Sequence, residues 1–197
     1  MSANSNENAT GSTGKRILIL NGSPRMNGNT AGLITSFTEG AIQAGHVVDR
    51  FDLQKMNIRA CLGCYKGGKD PDSPCVQKDD MDKIYPVYER ADIVVLASPM
   101  YYWSVTGQLK CAFDRLFAVT EKDAEFRSPS KKCIMLMAAE GDTRDNFEPV
   151  VHYYHALLKH LGWTNLGEVY AGGVVNVGDI KGHSALKEAR DLGVSIL

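Results

Sequence analysis

No stretch of this 197-residue chain approaches the ~20 consecutive apolar residues that a membrane-spanning helix requires. No sign of charge dominates either: 22 Lys and Arg stand against 23 Asp and Glu, a formal net charge of -1. A dedicated nucleic-acid binder needs a basic face to neutralise phosphates, so the balance argues against that class and leaves room for a small anionic ligand. Neither G-x-G-x-x-G nor G-x-x-x-x-G-K-[ST] occurs, which disfavours a Rossmann dinucleotide site and a P-loop nucleoside triphosphatase. Gly14-Lys15 is a superficial match to a P-loop end, but Arg16 and a strand follow it where Ser or Thr and a helix should stand. The segment Met1 to Lys15 has neither the charged start nor the apolar core of a signal peptide, so a cytoplasmic setting is expected. Cysteine is scarce and odd in number, five in all, which speaks for free thiols, a metal or a cluster before a disulfide framework.

At 44% hydrophobic and 23% charged, what remains is an ordinary globular composition. Residues 1–14 are Ser, Asn, Thr and Gly with little to bury and read as a mobile tail. Residues 15–197 read as one domain. Arg16 to Leu20 is a short continuous apolar run, the mark of a strand buried on both faces of a parallel sheet. Further strands are expected at His46 to Leu53, Asp92 to Ala97, Lys132 to Ala138 and Leu166 to Ala171. Helices are expected at Thr30 to Ala44, Asp80 to Arg90 (with Pro86 as a point of kinking or shortening), Thr106 to Val119, Phe147 to Leu161 and Ser184 to Val194. Five strands alternating with five helices imply right-handed crossovers and a parallel sheet covered on both faces. Ligands of such sheets sit at the carboxyl ends of the strands, so the loops after strands one, three and four carry the chemistry.

The first of these loops offers Ser23, Arg25, Asn27, Asn29 and Thr30 directly before a helix start, where free amides and the helix dipole favour an anion such as a terminal phosphate. A plainer reading makes Asn29 or Thr30 only an N-cap. After the third strand come Pro99, Met100, Tyr101, Tyr102, Trp103 and Ser104, and three consecutive aromatics at a ligand-binding edge suit stacking on a planar heterocycle or a subunit contact.

The segments I-L-I-L-N-G-S-P-R-M-N-G-N-T and A-S-P-M-Y-Y-W-S-V-T-G-Q-L-K-C-A-F-D-R resemble the flavodoxin-like NADPH-dependent FMN reductase family, including its iron–sulfur flavoprotein branch. The likeness runs from about Lys15 to Trp163. It implies a three-layer α/β sandwich with a five-stranded parallel sheet in the order 2-1-3-4-5. It also implies FMN, with Ser23 to Thr30 on the ribityl phosphate and Pro99 to Ser104 against the isoalloxazine ring. By analogy Ala139, Glu140 and Gly141 form a third wall, although relatives carry a small Gly-rich turn there and Glu140 departs from it. The implied activity takes a hydride from NADPH or NADH and passes electrons to a small-molecule acceptor, with no side chain needed as acid or base. The alternatives are an iron–sulfur flavoprotein electron carrier and a nonenzymatic FMN-binding regulatory module. A homodimer or homotetramer is expected, without nucleic-acid or membrane partners.

Cys61, Cys64 and Cys75 fall in an insertion at about 56–80 that resembles the cluster-bearing loop of the iron–sulfur branch, where four thiolates ligate a [4Fe-4S] cluster. Only three are present here, because Gly67 stands three residues after Cys64, and Cys111 and Cys133 are remote in a helix and a strand. A structural remnant with free thiols is the preferred reading over a cluster, zinc or a regulated disulfide, and no metal is assigned. Glu148, His152 and His155 share a helix face opposite the apolar one and read as solvated or as a subunit contact rather than as metal ligands. Lys110, Asp114 and Arg115 read as helix stabilisers or subunit contacts.

Overall fold

The structure, a computed structural model, describes residues 14–197. The expected tail, apart from Gly14, lies outside the described residues. Five strands, β1 (Arg16–Asn21), β2 (Val47–Asp52), β3 (Ile93–Pro99), β4 (Lys132–Ala138) and β5 (Thr164–Ala171), form a wholly parallel sheet in the order β2-β1-β3-β4-β5. Around it the chain forms helices α1 (Asn29–Gln43), α2 (Met81–Arg90), α3 (Gly107–Arg115), α4 (Phe117–Thr120), α5 (Arg144–Leu161) and α6 (Ser184–Val194). Among the described residues no helix is long and apolar enough to cross a membrane.

The central strands are buried on both faces, and their period of two sorts alternate residues into two cores. Ile17, Ile19, Val95, Ile134 and Leu136 face α1 and α6, whereas Leu18, Leu20, Val94, Leu96, Met135 and Met137 face the layer of α2, α3, α4 and α5. On the first side two glycines bring helix backbones into contact. A Cβ at Gly40 would stand 2.1 Å from the Arg190 carbonyl oxygen, and one at Gly193 would stand 2.4 Å from that of Phe37.

The expected helix over Thr106 to Val119 is interrupted. The Leu116 amide bonds to Phe113 O at 3.0 Å, an i to i−3 closure that tightens the turn and separates α3 from α4. α2 runs through Pro86 to Arg90, and α5 starts at Arg144, three residues before the expected Phe147, with Thr143 extended just ahead of it.

Candidate functional site

The loops at the carboxyl edge are built from the end of β1 outward. Asn21, fully buried, donates from Nδ2 to Asp52 Oδ1 at 2.8 Å and accepts at Oδ1 from the Ser23 amide at 3.0 Å, so the tip of β2 braces the first loop. Burial alone would raise the Asp52 carboxyl, but hydrogen bonds from Asn21 and Arg50 outweigh it and hold the group below its ordinary range. The chain then enters α1 through Gly28 in extended conformation, with no side chain capping the first turn. The N-cap reading of Asn29 or Thr30 is therefore corrected: both lie buried inside the first turn. The amides of that turn have no acceptor within the helix, and with the helix dipole they form an anion-ready end.

Three of the expected anion ligands are already engaged. Ser23 Oγ donates to Arg25 O and accepts from the Arg25 amide, both at 3.2 Å. Arg25 Nη1 donates to Val175 O at 2.9 Å. The Asn29 side chain is used at both ends, donating to Asn176 O at 3.0 Å and accepting from the Ile180 amide at 3.2 Å. The Arg25 and Asn29 bonds clamp the loop after β5, which sequence reasoning left out of the site. Asp179 closes that loop by accepting from the amides of Val175 and Asn176 at 2.9 and 2.7 Å. Its signal was the turn-rich run Asn176-Val177-Gly178-Asp179 a few residues beyond the end of a strand.

The aromatic segment folds into a tight turn in which Tyr101 and Ser104 exchange backbone hydrogen bonds of 3.0 and 3.1 Å. Tyr102 and Trp103 at its tip both take left-handed backbone, φ 48° and 59°, at a cost of roughly 1–3 kcal/mol each. The turn holds Tyr102 out at 96% exposure. Thr106 ties it to the first loop, its hydroxyl donating to Gly22 O at 2.8 Å while its amide donates to Ser98 Oγ at 3.0 Å. Glycine is required at position 22, since a Cβ there would lie 2.5 Å from Thr106 Oγ1. Met100 N bonds to Ala138 O at 2.9 Å, joining the turn to the loop after β4.

In that loop Ala139 N reaches Ala171 O at 2.8 Å and Gly173 N reaches Glu140 O at 3.0 Å. Glu140 is exposed and Gly141 packs beneath Gly172, whose Cβ would come 2.6 Å from the Asp142 Cα. The structure thus gathers Ser23 to Thr30, Pro99 to Ser104 and Ala139 to Gly141 on one edge, stitched together by Thr106 and Met100.

The cysteine loop is anchored elsewhere. Arg115, 1% exposed, forms a two-pronged ion pair with Asp79, Nη1 to Oδ2 at 2.8 Å and Nη2 to Oδ1 at 3.1 Å, and also donates to the carbonyls of Arg59 and Gln77 at 2.9 and 3.2 Å. Its reading as a helix stabiliser or subunit contact is corrected to a buried clasp for this loop. Lys110 and Asp114 do form the expected exposed i, i+4 pair. His155 turns to Glu168, not to Glu148 and His152. Cys61, Cys64, Cys75, Cys111 and Cys133 are all free thiols, and burial pushes Cys133 up to about 12.

Sheet order, an uncapped helix start and three converging edge loops define a flavodoxin-like α/β protein. A family model for NADPH-dependent FMN reductase matches residues 15–175, and the chain belongs to that family. It is 32% identical over 182 residues to an iron–sulfur flavoprotein of Archaeoglobus fulgidus, spanning 92% of this chain and 78% of that protein. Its fold is similar to that of an NAD(P)H:quinone oxidoreductase from Methanothermobacter marburgensis, with a TM-score of 0.72 at 24% identity, over 92% of this chain and 95% of that one. An FMN-dependent NADH-azoreductase from Bacillus anthracis in complex with FMN gives a TM-score of 0.67 at 16% identity, over 90% and 97% of the two chains.

The donor set fits a flavin phosphate, since the uncapped amides of the first turn lie beside the Thr30 hydroxyl and the Arg25 guanidinium. It does not fit an iron–sulfur cluster. Among the described residues no three His, Cys, Asp or Glu side chains are placed to hold a metal. At Gly67, where a fourth thiolate would be needed, a Cβ would lie 2.2 Å from Glu121 Oε2, and the Gly67 amide donates to that same oxygen at 3.1 Å.

Proposed function

We propose that this chain carries FMN on the carboxyl edge of its sheet and works as an NAD(P)H-dependent oxidoreductase of the flavin and quinone reductase type, with a small-molecule electron acceptor. The observation that carries this reading is the uncapped start of α1, joined through the Thr106 to Gly22 hydrogen bond to an aromatic turn. Bound FMN supplies the hydride and electron chemistry.

The chain's own residues bind and orient. The first-turn amides at Asn29 and Thr30, with the Thr30 hydroxyl and Asn27, hold the phosphate; Arg25 adds charge beside it from its tether on Val175. Pro99 to Ser104 wall one side of the ring, and Ala139, Glu140 and Gly141 close another. Asn29 acts through its side chain as a positioning residue, fixing the 175–180 loop against the helix start. No side chain is assigned as acid or base. The exposed aromatic tip also favours a homodimer or homotetramer, in which a second copy covers Tyr102. Family membership supports the reading, and the quinone and azo reductase neighbours are in keeping with it; the A. fulgidus relative, an iron–sulfur flavoprotein, supports the flavin alone.

Anaerobic mixing of FMN-loaded protein with NADPH or NADH tests it. One FMN per chain and bleaching of the flavin absorbance by a pyridine nucleotide are expected. Failure to retain FMN would overturn the cofactor, and retention without bleaching would leave a binding module.

A further inference from the structure

A cavity of about 490 Å³ opens beneath the cysteine loop, and none of the edge residues discussed above lines it. Its volume lies within the roughly 300–1,000 Å³ typical of small-molecule sites. Trp163, which precedes β5, and Leu161, which ends α5, form part of its wall, so it reaches toward the amino edge of the sheet, away from the proposed flavin. The wall includes five aromatic rings, those of Tyr65, Tyr88, Phe113, Phe117 and Trp163. Phe113 meets Trp163 edge-on at 6.1 Å between ring centroids, and Tyr65 meets Phe117 edge-on at 5.6 Å. Tyr65 is 74% exposed and Phe117 38%, large rings presented at the mouth without cover.

Three further observations define what would fit. First, Arg115 lines the cavity but offers it no free donor, since its side chain is closed to solvent and both terminal nitrogens are engaged. Second, the charges at the wall are already paired, Arg115 with Asp79 and Asp114 with Lys110, while Glu121 at the rim would repel an anion. Third, a cluster held by Cys61, Cys64 and Cys75 would have to sit in this same space, which all three line, and Glu121 fills the place of the missing ligand.

We infer that the cavity is a second small-molecule site, separate from the flavin edge, for an uncharged planar ring compound. The rings of Phe113, Phe117 and Trp163 receive its faces. The cysteine loop forms the lid of this site and is clasped by Arg115 and Asp79 in place of a metal.

The chain's two tryptophans separate the two sites, since Trp103 stands at the flavin edge and Trp163 in the cavity wall. The FMN-loaded Trp103→Phe protein, with Trp163 as its sole tryptophan, is titrated with duroquinone without pyridine nucleotide; the fully methylated ring of this probe blocks simple thiol addition. Saturable quenching at one equivalent per chain is expected, weakened at least tenfold by Phe117→Gln and, independently, by Tyr65→Ala. FMN content and circular dichroism should stay unchanged. Quenching that rises linearly without saturation overturns the inference. So does affinity unchanged from the parent protein in both variants, or saturation seen only by Trp103 in the Trp163→Phe protein, which would place the probe at the flavin edge. Sedimentation showing that Phe117→Gln breaks an oligomer, without saturable binding, would also overturn it by making the face an interface between copies.

Discussion

Replacing Asp79 by Asn keeps the side chain's shape and removes the counter-charge of Arg115. Both members of the pair are essentially buried, with side-chain exposures of 1% and 0%. Burial opposes both charges, yet the hydrogen bonds between them hold Asp79 below its ordinary value and Arg115 above its own. Asp79 also accepts from the amides of Arg59 and Met81, both at 3.1 Å, so Asn would turn a donor toward a site that offers only donors. Breaking a buried pair from one side leaves an uncompensated charge and costs about 3–5 kcal/mol. For a chain of this size each kcal/mol is about 2–4 °C in Tm, so Asp79→Asn should melt roughly 6–20 °C lower with FMN saturating in both samples. Because Arg115 also holds the carbonyls of Arg59 and Gln77, the loop between them should be cut faster by trypsin at exposed Lys66 and Lys69. The double variant Asp79→Leu/Arg115→Met removes both charges but strips partners from the carbonyls of Arg59 and Gln77 and the amides of Arg59 and Met81, so it should not recover the loss. The sign with pH follows from the lowered carboxyl. Its contribution is complete above the ordinary value of 3.8 and is lost as the pH falls through the native, lower value, so the Tm gap between wild type and Asp79→Asn should narrow in acid. A loss under about 1 kcal/mol with unchanged trypsin resistance would refute the clasp, given that cost for a broken buried pair.

Two further perturbations read other joints. Gly40→Ala forces a Cβ to within 2.1 Å of the Arg190 carbonyl in α6, a backbone atom that cannot swing aside; overpacking of this kind costs typically about 1–3 kcal/mol and should lower the urea midpoint with little change in slope. Asn29→Ala strips partners from Asn176 O and the Ile180 amide, so amide exchange should speed up across residues 175–180 and FMN should be held less tightly, whereas exchange in β3 should stay as it was.

The sheet was legible because each central strand is a short apolar run with turn residues after it, and burial on both faces demands that pattern. The loop after β1 was legible for a similar reason, since a strand, a polar loop and a helix start lie within fifteen residues. Helix ends were less so. The break at Leu116 comes from an i to i−3 closure, and nothing in the apolar spacing of Leu109, Phe113, Leu116 and Phe117 separates one helix from two. The left-handed backbone at Tyr102 and Trp103 was hidden because neither residue is one that favours it.

What the sequence concealed has one physical origin. Arg25 was read as a charge for a phosphate and Arg115 as a charge for a helix surface, each from its neighbours in the chain. In the fold the first reaches Val175, 150 residues away, and the second reaches Asp79, 36 residues away. An arginine has five donors in a fixed fork, so it can satisfy several distant acceptors at once. That reach links the two residues. Arg25 holds the loop after β5 through Val175 O, and Arg115 holds the cysteine loop through Asp79 and the carbonyls of Arg59 and Gln77. In both places the loop is fixed by contacts far along the chain, which the arginine's sequence neighbours do not reveal.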